Sequence, residues 1–236
     1  MILITRPRKD SLELQKKLKK IKIDSLIQEL STFKISKNCM NLSSSIILIT
    51  STRSIDYLVR TNTLQTCKCS KFLVIGNETS KRLKRLGCKH IIVTAKDSKD
   101  LLEKSKRVLE KREIIKFLCS NIYNKQLVRA LKKMSYDVKL FQVYETHGIK
   151  KLKKTVINNL KKNKLKAAVF FSQFSLKIFF HLCQVENIDK PSLKRLHYIC
   201  ISKRVAKQAI ISGFKVHLAN EPTKESILKL VQKNFV

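Results

Sequence analysis

The sequence predicts an α/β fold made of two related halves, each a parallel sheet with helices on both faces, and three observations carry this expectation. Along the 236-residue chain, short apolar runs of strand-forming residues alternate with helical segments of about ten residues, the pattern of parallel sheets covered on both sides. A strand–turn–helix–Gly–strand unit at Lys71–Thr94 (KFLVIGNETSKRLKRLGCKHIIVT) has a degraded copy at Tyr198–His217 (YICISKRVAKQAIISGFKVH), with Gly76 to Gly87 spaced as Ser202 to Gly213. Two further segment pairs repeat. Ser45–Ser51 and Lys166–Ser172 are apolar runs that end in a hydroxyl residue ahead of a helix; Ile2–Leu30 and Ile114–Val143 each hold a strand, a lysine-rich helix ending in Leu-Lys-Lys, and a second strand. The length suits two small domains, each able to bury a core.

Taken in order, Met1–Thr5 is a buried-type strand. Pro7 suits a turn or the first turn of a helix, and Asp10–Lys20 is an amphipathic helix. Ile23–Ile35 is mixed, with a polar centre, and reads as a crossing connection; Ser36–Ser44 reads as a polar loop. Ile46–Thr50 is a central strand that delivers Ser51-Thr52-Arg53 at its C-terminal end, and Ser54–Arg60 continues as a short helix. Phe72–Ile75 is a strand broken by Gly76 and Asn77. Glu78–Leu86 is a helix stopped by Gly87, because the residue past a helix end commonly takes φ > 0, where glycine is least strained. Ile91–Val93 is the next strand. Asp97–Glu110 reads as a helix with Leu101, Leu102, Val108 and Leu109 inward, Ile114–Leu118 as a strand and Asn124–Met134 as a helix. Val138–Val143 is a strand that runs on into Tyr144-Glu145-Thr146, and His147–Lys166 reads as a lysine-rich helical region without a deep core face. Strand Ala167–Phe171, helix Leu176–Cys183, a loop or turn at Pro191, strand His197–Ile201, a helix to Ser212, strand Phe214–Leu218 and helix Lys224–Asn234 complete the chain, with Thr223 as an N-cap.

The net charge of +34 suggests an acidic partner: nucleic acid, anionic lipid or a polycarboxylate ligand. The excess is mostly lysine, spread over nearly every helix and accompanied by abundant Ile and Asn, so most of it reads as compositional. With few aromatic residues and no Trp, no stacking platform for bases is indicated. Seven cysteines lack zinc-type spacing: Cys67 and Cys69 form a lone C-x-C, while Cys39, Cys88, Cys119, Cys183 and Cys200 sit in or beside apolar runs as small hydrophobes. An odd count without a signal peptide points to a reducing cytoplasm. No apolar run approaches the ~20 residues of a membrane span.

Ligands of open parallel sheets bind beyond the C-terminal strand ends. There the sequence collects Thr5-Arg6, Thr50-Ser51-Thr52-Arg53, Asn77 and Thr79, Tyr144, Ser172 and Ser175, and Ser202 and Arg204. Any single Ser or Thr at such a turn is more simply an N-cap. Facing each other across two domains, these residues and the helix N-termini behind them would offer many donors to an anionic ligand. With four glycines in the chain, a phosphate-cradling loop is not expected, and G-x-S-x-G, G-x-G-x-x-G and H-E-x-x-H are absent. The histidines at 90, 147, 181, 197 and 217 show no ligand spacing. Tyr144 is the one candidate acid, with a structural tyrosine as its alternative.

Six pieces in order resemble the uroporphyrinogen-III synthase family: ILITRP at the N-terminus, ITSTRSIDYL at Ile49–Leu58, VIGNETSKRLKRLG at Val74–Gly87, VYET at Val143–Thr146, VFFSQFS at Val169–Ser175 and ANEPTKESIL at Ala219–Leu228. The resemblance implies two Rossmann/flavodoxin-like parallel-sheet domains joined by a two-stranded connector: residues 1–33 with 148–236 as one domain, built from both chain ends, and 34–147 as the other. It implies an active site in the cleft between them, without cofactor or metal. By motif match it carries over Tyr144 as the catalytic residue and Thr5, Arg6, Ser51, Arg53, Thr79 and Ser172 as substrate-binding residues. Two departures stand out. Ser202-Lys203-Arg204-Val205 replaces the family's Gly-and-Thr pattern, and Ser120 and Asn124 or Lys125 stand where a glycine and an arginine are usual.

The implied function is a cyclising lyase of porphyrin and heme biosynthesis. It closes the polycarboxylate tetrapyrrole chain hydroxymethylbilane to uroporphyrinogen III with inversion of ring D. The enzyme is expected as a cytoplasmic monomer that takes substrate from hydroxymethylbilane synthase, without specific nucleic acid or membrane partners. The alternatives are a basic nucleic-acid-binding module and a non-catalytic relative of the synthase.

Overall fold

The computed structural model describes residues 1–43 and 45–235, apart from the Lys9 side chain; Ser44, which closes the expected polar loop, lies outside the described residues. In chain order the elements are β1 (Ile2–Ile4), α1 (Arg8–Lys20), β2 (Ser25–Ile27), β3 (Ser31–Ile35), β4 (Ile46–Ile49), α2 (Thr52–Arg60), α3 (Leu64–Cys67), β5 (Lys71–Ile75), α4 (Asn77–Arg85), β6 (Ile91–Ala95), α5 (Ser98–Val108), β7 (Ile114–Ser120), α6 (Lys125–Lys133), β8 (Asp137–Gly148), α7 (Lys154–Lys161), β9 (Ala167–Phe170), α8 (Gln173–Val185), α9 (Lys190–Arg195), β10 (His197–Cys200), α10 (Lys203–Ile211), β11 (Lys215–Leu218) and α11 (Lys224–Phe235).

The chain divides into two compact units, Met1–Thr32 with His147–Val236 and Phe33–Thr146. The first carries a sheet in the order β11-β10-β9-β1-β2, all four pairings parallel. The second carries the order β3-β8-β7-β4-β5-β6, with parallel pairing from β8 to β6. These orders explain the sequence repeats. β4, β5, β6, β7 and β8 occupy the same relative places as β9, β10, β11, β1 and β2, so each repeated segment pair falls on equivalent strands. The chain passes between the units within β3 and β8.

Each sheet is buried on both faces because its strands are apolar at successive positions and side chains alternate from face to face. In the first unit Leu3, Ala168, Phe170, Tyr198 and Cys200 enter one core, and Ile2, Ile4, Ala167, Val169 and Ile199 the other. In the second, Ile47, Ile49, Phe72, Val74 and Leu118 face one core and Ile46, Leu48, Leu73, Ile115 and Phe117 the other. Burying one such Leu, Ile or Phe side chain contributes about 1.5–3 kcal/mol.

Several expectations are corrected. The segment 147–166 has a core face after all: helix α7 is short, but Leu152, Val156, Leu160 and Leu165 are buried. Val156 and Leu160 lie one turn apart on the same side of α7, with Leu152 and Leu165 joining the same core from the flanking segments. Pro191 does not open a loop; it lies in the first turn of α9, capped by Asp189, whose side chain accepts the Ser192 N–H at 3.2 Å, a place where a missing N–H costs nothing. Val108 points outward at 45% exposure, and Leu109 is buried only after the helix has ended. Cys39 is exposed, whereas Cys67 of the C-x-C is buried with its thiol pushed up to about 12 by desolvation. Ile23–Ile35 is no plain connection, since it supplies edge strand β2 before β3.

Candidate functional site

In each sheet the strand order reverses once, and at such a reversal the loops beyond the C-terminal strand ends part to leave a ligand crevice. In the unit of residues 33–146 the reversal lies between β4 and β7; in the other it lies between β9 and β1. Ser51 and Arg53 follow β4, Ser172 follows β9, and Thr5 and Arg6 follow β1. Five of the seven candidate residues therefore stand at a reversal point.

In the unit of residues 33–146, Tyr144 is the centre of a connected group. It lies on β8 where the parallel pairing with β7 ends at Ser120, and it is 9% exposed. Burial pushes its phenol above the usual 10, opposed by the nearby Ser51 and Ser120 hydroxyls and by the charge of Arg53, while Cys119 adds to the rise. The Phe33 ring meets Tyr144 edge-on at 6.4 Å between centroids, and the Arg53 guanidinium lies 4.5 Å over Phe33. Arg53 Nη1 donates to Asp56 Oδ2 at 3.0 Å, and Arg82 Nη2 pairs with Asp56 Oδ1 at 2.7 Å. Ser51 also caps α2, its side chain accepting the Arg53 N–H at 3.2 Å.

In the other unit, Thr5 is buried at the end of β1 and its hydroxyl donates to the Val169 carbonyl of β9, so it ties two strands together. Arg6 lies 4.4 Å over the Phe171 ring and bonds Asp10 Oδ2 at 2.8 Å. Ser172 caps α8: its oxygen accepts the Ser175 N–H at 3.0 Å and lies 2.8 Å from the Ser175 hydroxyl. Ser172 is thus a cap, and its neighbour Phe171 is the platform for Arg6.

Thr79 stands apart from both groups, buried in the first turn of α4 beneath Gly76. A Cβ at Gly76, where φ is +97°, would come within 3.5 Å of the Thr79 hydroxyl oxygen. Ser202 caps α10, its side chain accepting from the Val205 N–H at 3.4 Å. Asn124 caps α6 and also donates to Ser98 Oγ at 3.0 Å.

Sequence reasoning did not single out Phe33, Asp56, Arg82, Asp10 or Phe171. For the two aspartates a signal was present: Asp10 lies four residues after Arg6 and Asp56 three after Arg53, the spacings at which helical side chains meet. Phe33, Phe171 and Arg82 carry no such local mark.

Among the described residues, no group of three or more His, Cys, Asp or Glu is placed to hold a metal ion, and no helix is long and apolar enough to cross a membrane. A search of curated protein sequences returns no match. Among solved structures the chain is similar to uroporphyrinogen-III synthetase from Helicobacter pylori 26695, at 20% identity and a TM-score of 0.68, covering 98% of both chains. It is also similar to a mutant uroporphyrinogen III synthase from the extremely thermophilic bacterium Thermus thermophilus, at 13% identity and a TM-score of 0.66, covering 99% of this chain and 97% of that one. At these identities the likeness speaks for the two-domain α/β fold. The family of uroporphyrinogen-III synthase HemD matches across residues 14–229, the stretch that holds both sheets but for β1, and with it Ser51, Arg53, Thr79, Tyr144 and Ser172. The chain belongs to the uroporphyrinogen-III synthase family, cyclising hydro-lyases of tetrapyrrole synthesis.

Proposed function

We propose that this chain performs the family's cyclisation of hydroxymethylbilane to uroporphyrinogen III with Tyr144 as the proton donor. The observation that carries this reading is the buried phenol of Tyr144, on the strand paired with β7 and packed on the Phe33 ring that carries the Arg53 guanidinium after β4. A phenol whose pKa is raised stays protonated at neutral pH and keeps a proton to give. It donates to the hydroxyl of the ring A hydroxymethyl group, which leaves as water and generates an azafulvenium cation. The substituted carbon of ring D attacks that cation to form a spiro intermediate. Fragmentation and reclosure then invert ring D, and the proton lost on rearomatisation restores the phenol.

The substrate carries eight carboxylates, and Arg6 and Arg53, each fixed on an aromatic ring, are suited to hold some of them. Thr5, Ser51 and Ser172 hold the turns that present these groups. Because the open chain also closes without inversion to the type I isomer, holding the chain curled is the larger task. We further propose a cytoplasmic monomer supplied by hydroxymethylbilane synthase. The test is isomer analysis of the porphyrin formed from hydroxymethylbilane. An excess of type III over the protein-free control is expected; type I alone, as in that control, would reject the reading.

A further inference from the structure

We propose that Asp56 is a positioning residue that holds Arg53 and Arg82 together as a two-guanidinium clamp for substrate carboxylates, with Arg82 a binding residue that the motif match does not carry over. This rests on the polycarboxylate substrate of the preceding reading. The two oxygens of Asp56 are divided between the two cations, Oδ2 to Arg53 and Oδ1 to Arg82. Arg82 also donates from Nη1 to the Thr52 carbonyl at 3.2 Å. The two guanidinium groups therefore come from different helices, α2 and α4, and are locked to the same turn after β4.

A guanidinium has five N–H donors. Among the described residues, Arg53 spends one on Asp56, and Arg82 spends one on Asp56 and one on Thr52. Most of the donors on both remain for a ligand. Two cations sharing one carboxylate leave a net positive charge at the reversal point, where an anion is attracted. Arg53, Arg82 and Asp56 keep 32%, 38% and 19% of their side chains exposed, so the two guanidinium groups are held in place yet remain accessible to a ligand. A preordered guanidinium loses less rotamer freedom on binding than a free one.

The other unit repeats the device independently. Asp10 is also shared by two cations, Arg6 at 2.8 Å and Lys224 at 3.9 Å. Arg6 stacks on Phe171 as Arg53 does on Phe33. In both units the shared carboxylate lies on the helix that follows a reversal-point strand. Aspartate shared by two cations beside an aromatic platform is thus the common way this chain fixes an arginine beyond a strand end.

The experiment measures KM and kcat for type III formation with the full chain, together with thermal midpoints, for Arg82→Met, Asp56→Asn and Asp56→Glu. Arg82→Met is expected to raise KM about tenfold with kcat within about twofold, the signature of a lost contact made equally in ground and transition states. Asp56→Asn should raise KM likewise, and Asp56→Glu should recover most of it, which a purely structural role would not produce. An unchanged KM in Arg82→Met at wild-type thermal midpoint would overturn the clamp. So would an Asp56→Glu variant as impaired as Asp56→Asn. If the wild-type chain gives no type III excess, the functional reading fails separately, and the clamp is judged by binding of uroporphyrin I, an octacarboxylate. A roughly tenfold weaker affinity in Arg82→Met then upholds it, and equal or absent binding overturns it.

Discussion

Tyr144, His197 and His217 are titratable side chains whose behaviour is set by what surrounds them. Tyr144 loses water but keeps Ser51, Ser120 and Arg53, so it remains a neutral donor through physiological pH. Tyr144→Phe should lower type III formation by about two to three orders of magnitude, the usual effect of removing a donor aimed at developing charge, while the thermal midpoint stays near wild type. Turnover within a few-fold of wild type would show that positioning alone carries the reaction. Ser172→Ala, by contrast, removes a cap, and should cost about 1 kcal/mol of stability with turnover per folded molecule unchanged. His197 Nδ1 and His217 Nε2 lie 2.8 Å apart with Phe235 edge-on to both rings. Burial lowers both pKa values from the usual 6.5, and for His197 the charges of His217 and Lys215 add to it. The folded state thus resists a proton that the unfolded chain accepts. The pair's contribution to stability is complete above 6.5 and is lost as pH falls through the lower folded values. Urea unfolding should show stability falling as pH drops below 6.5, and a His197→Gln/His217→Gln double variant should flatten that dependence.

Helix stops show how a glycine-poor chain meets a requirement that usually selects glycine. Gly87 and Gly213 take φ of +87° and +70° after α4 and α10. The same left-handed stop is met by Lys22 after α1, Asn62 after α2, Ser135 after α6, Asn163 after α7 and Asn187 after α8. Asparagine tolerates this region; lysine and serine carry a steric cost because Cβ crowds the following carbonyl oxygen. Lys22→Gly and Ser135→Gly should each stabilise the fold by about 0.5–1 kcal/mol, the relief of that strain less the added freedom of the unfolded chain. Gly87→Ala should destabilise by about 1 kcal/mol, although nothing lies within 4 Å of the added Cβ. Denaturant midpoints with unchanged slopes would check all three. The helix at Gly87 was legible because the stop was a glycine; the stops at Lys22 and Ser135 carried no mark.

Across the whole molecule, the charge of +34 and the division into two units set the remaining expectations. The crossings within β3 and β8 are held by strand pairing, whereas residues 36–42 form neither helix nor strand. Limited proteolysis should therefore cut first in that segment. First cuts inside α8 or β9 would contradict it. The lysines remain distributed: α1, α4, α5, α6 and α7 each have basic residues in their last turn, where they complement the helix dipole. Binding to DNA should accordingly be weak, independent of sequence and lost near physiological salt, because it rests on counterion release alone. Sub-micromolar affinity at that salt would point to a nucleic-acid role.

The sequence by itself determined the α/β class, the two related halves and the strands equivalent between them, because strand and helix periodicity and the glycine stops are local. It also set Thr5, Arg6, Ser51, Arg53 and Ser172 just past a strand, since a residue that follows a strand in sequence follows it in space, whereas Tyr144 lies within β8 and Thr79 within α4. Only the tertiary structure decided which of them meet. Tyr144 pairs with Ser120 and lies near the Ser51 turn because β8, β7 and β4 lie side by side, a neighbourhood that no local pattern encodes. Arg82 joins Asp56 across two helices, and Thr79, equally prominent in its motif, turns inward beneath Gly76. The core face of α7 was hidden among lysines whose charge says nothing about where their neighbours point. A side chain's role depends on its partners in space, and those are set by sheet order and helix docking.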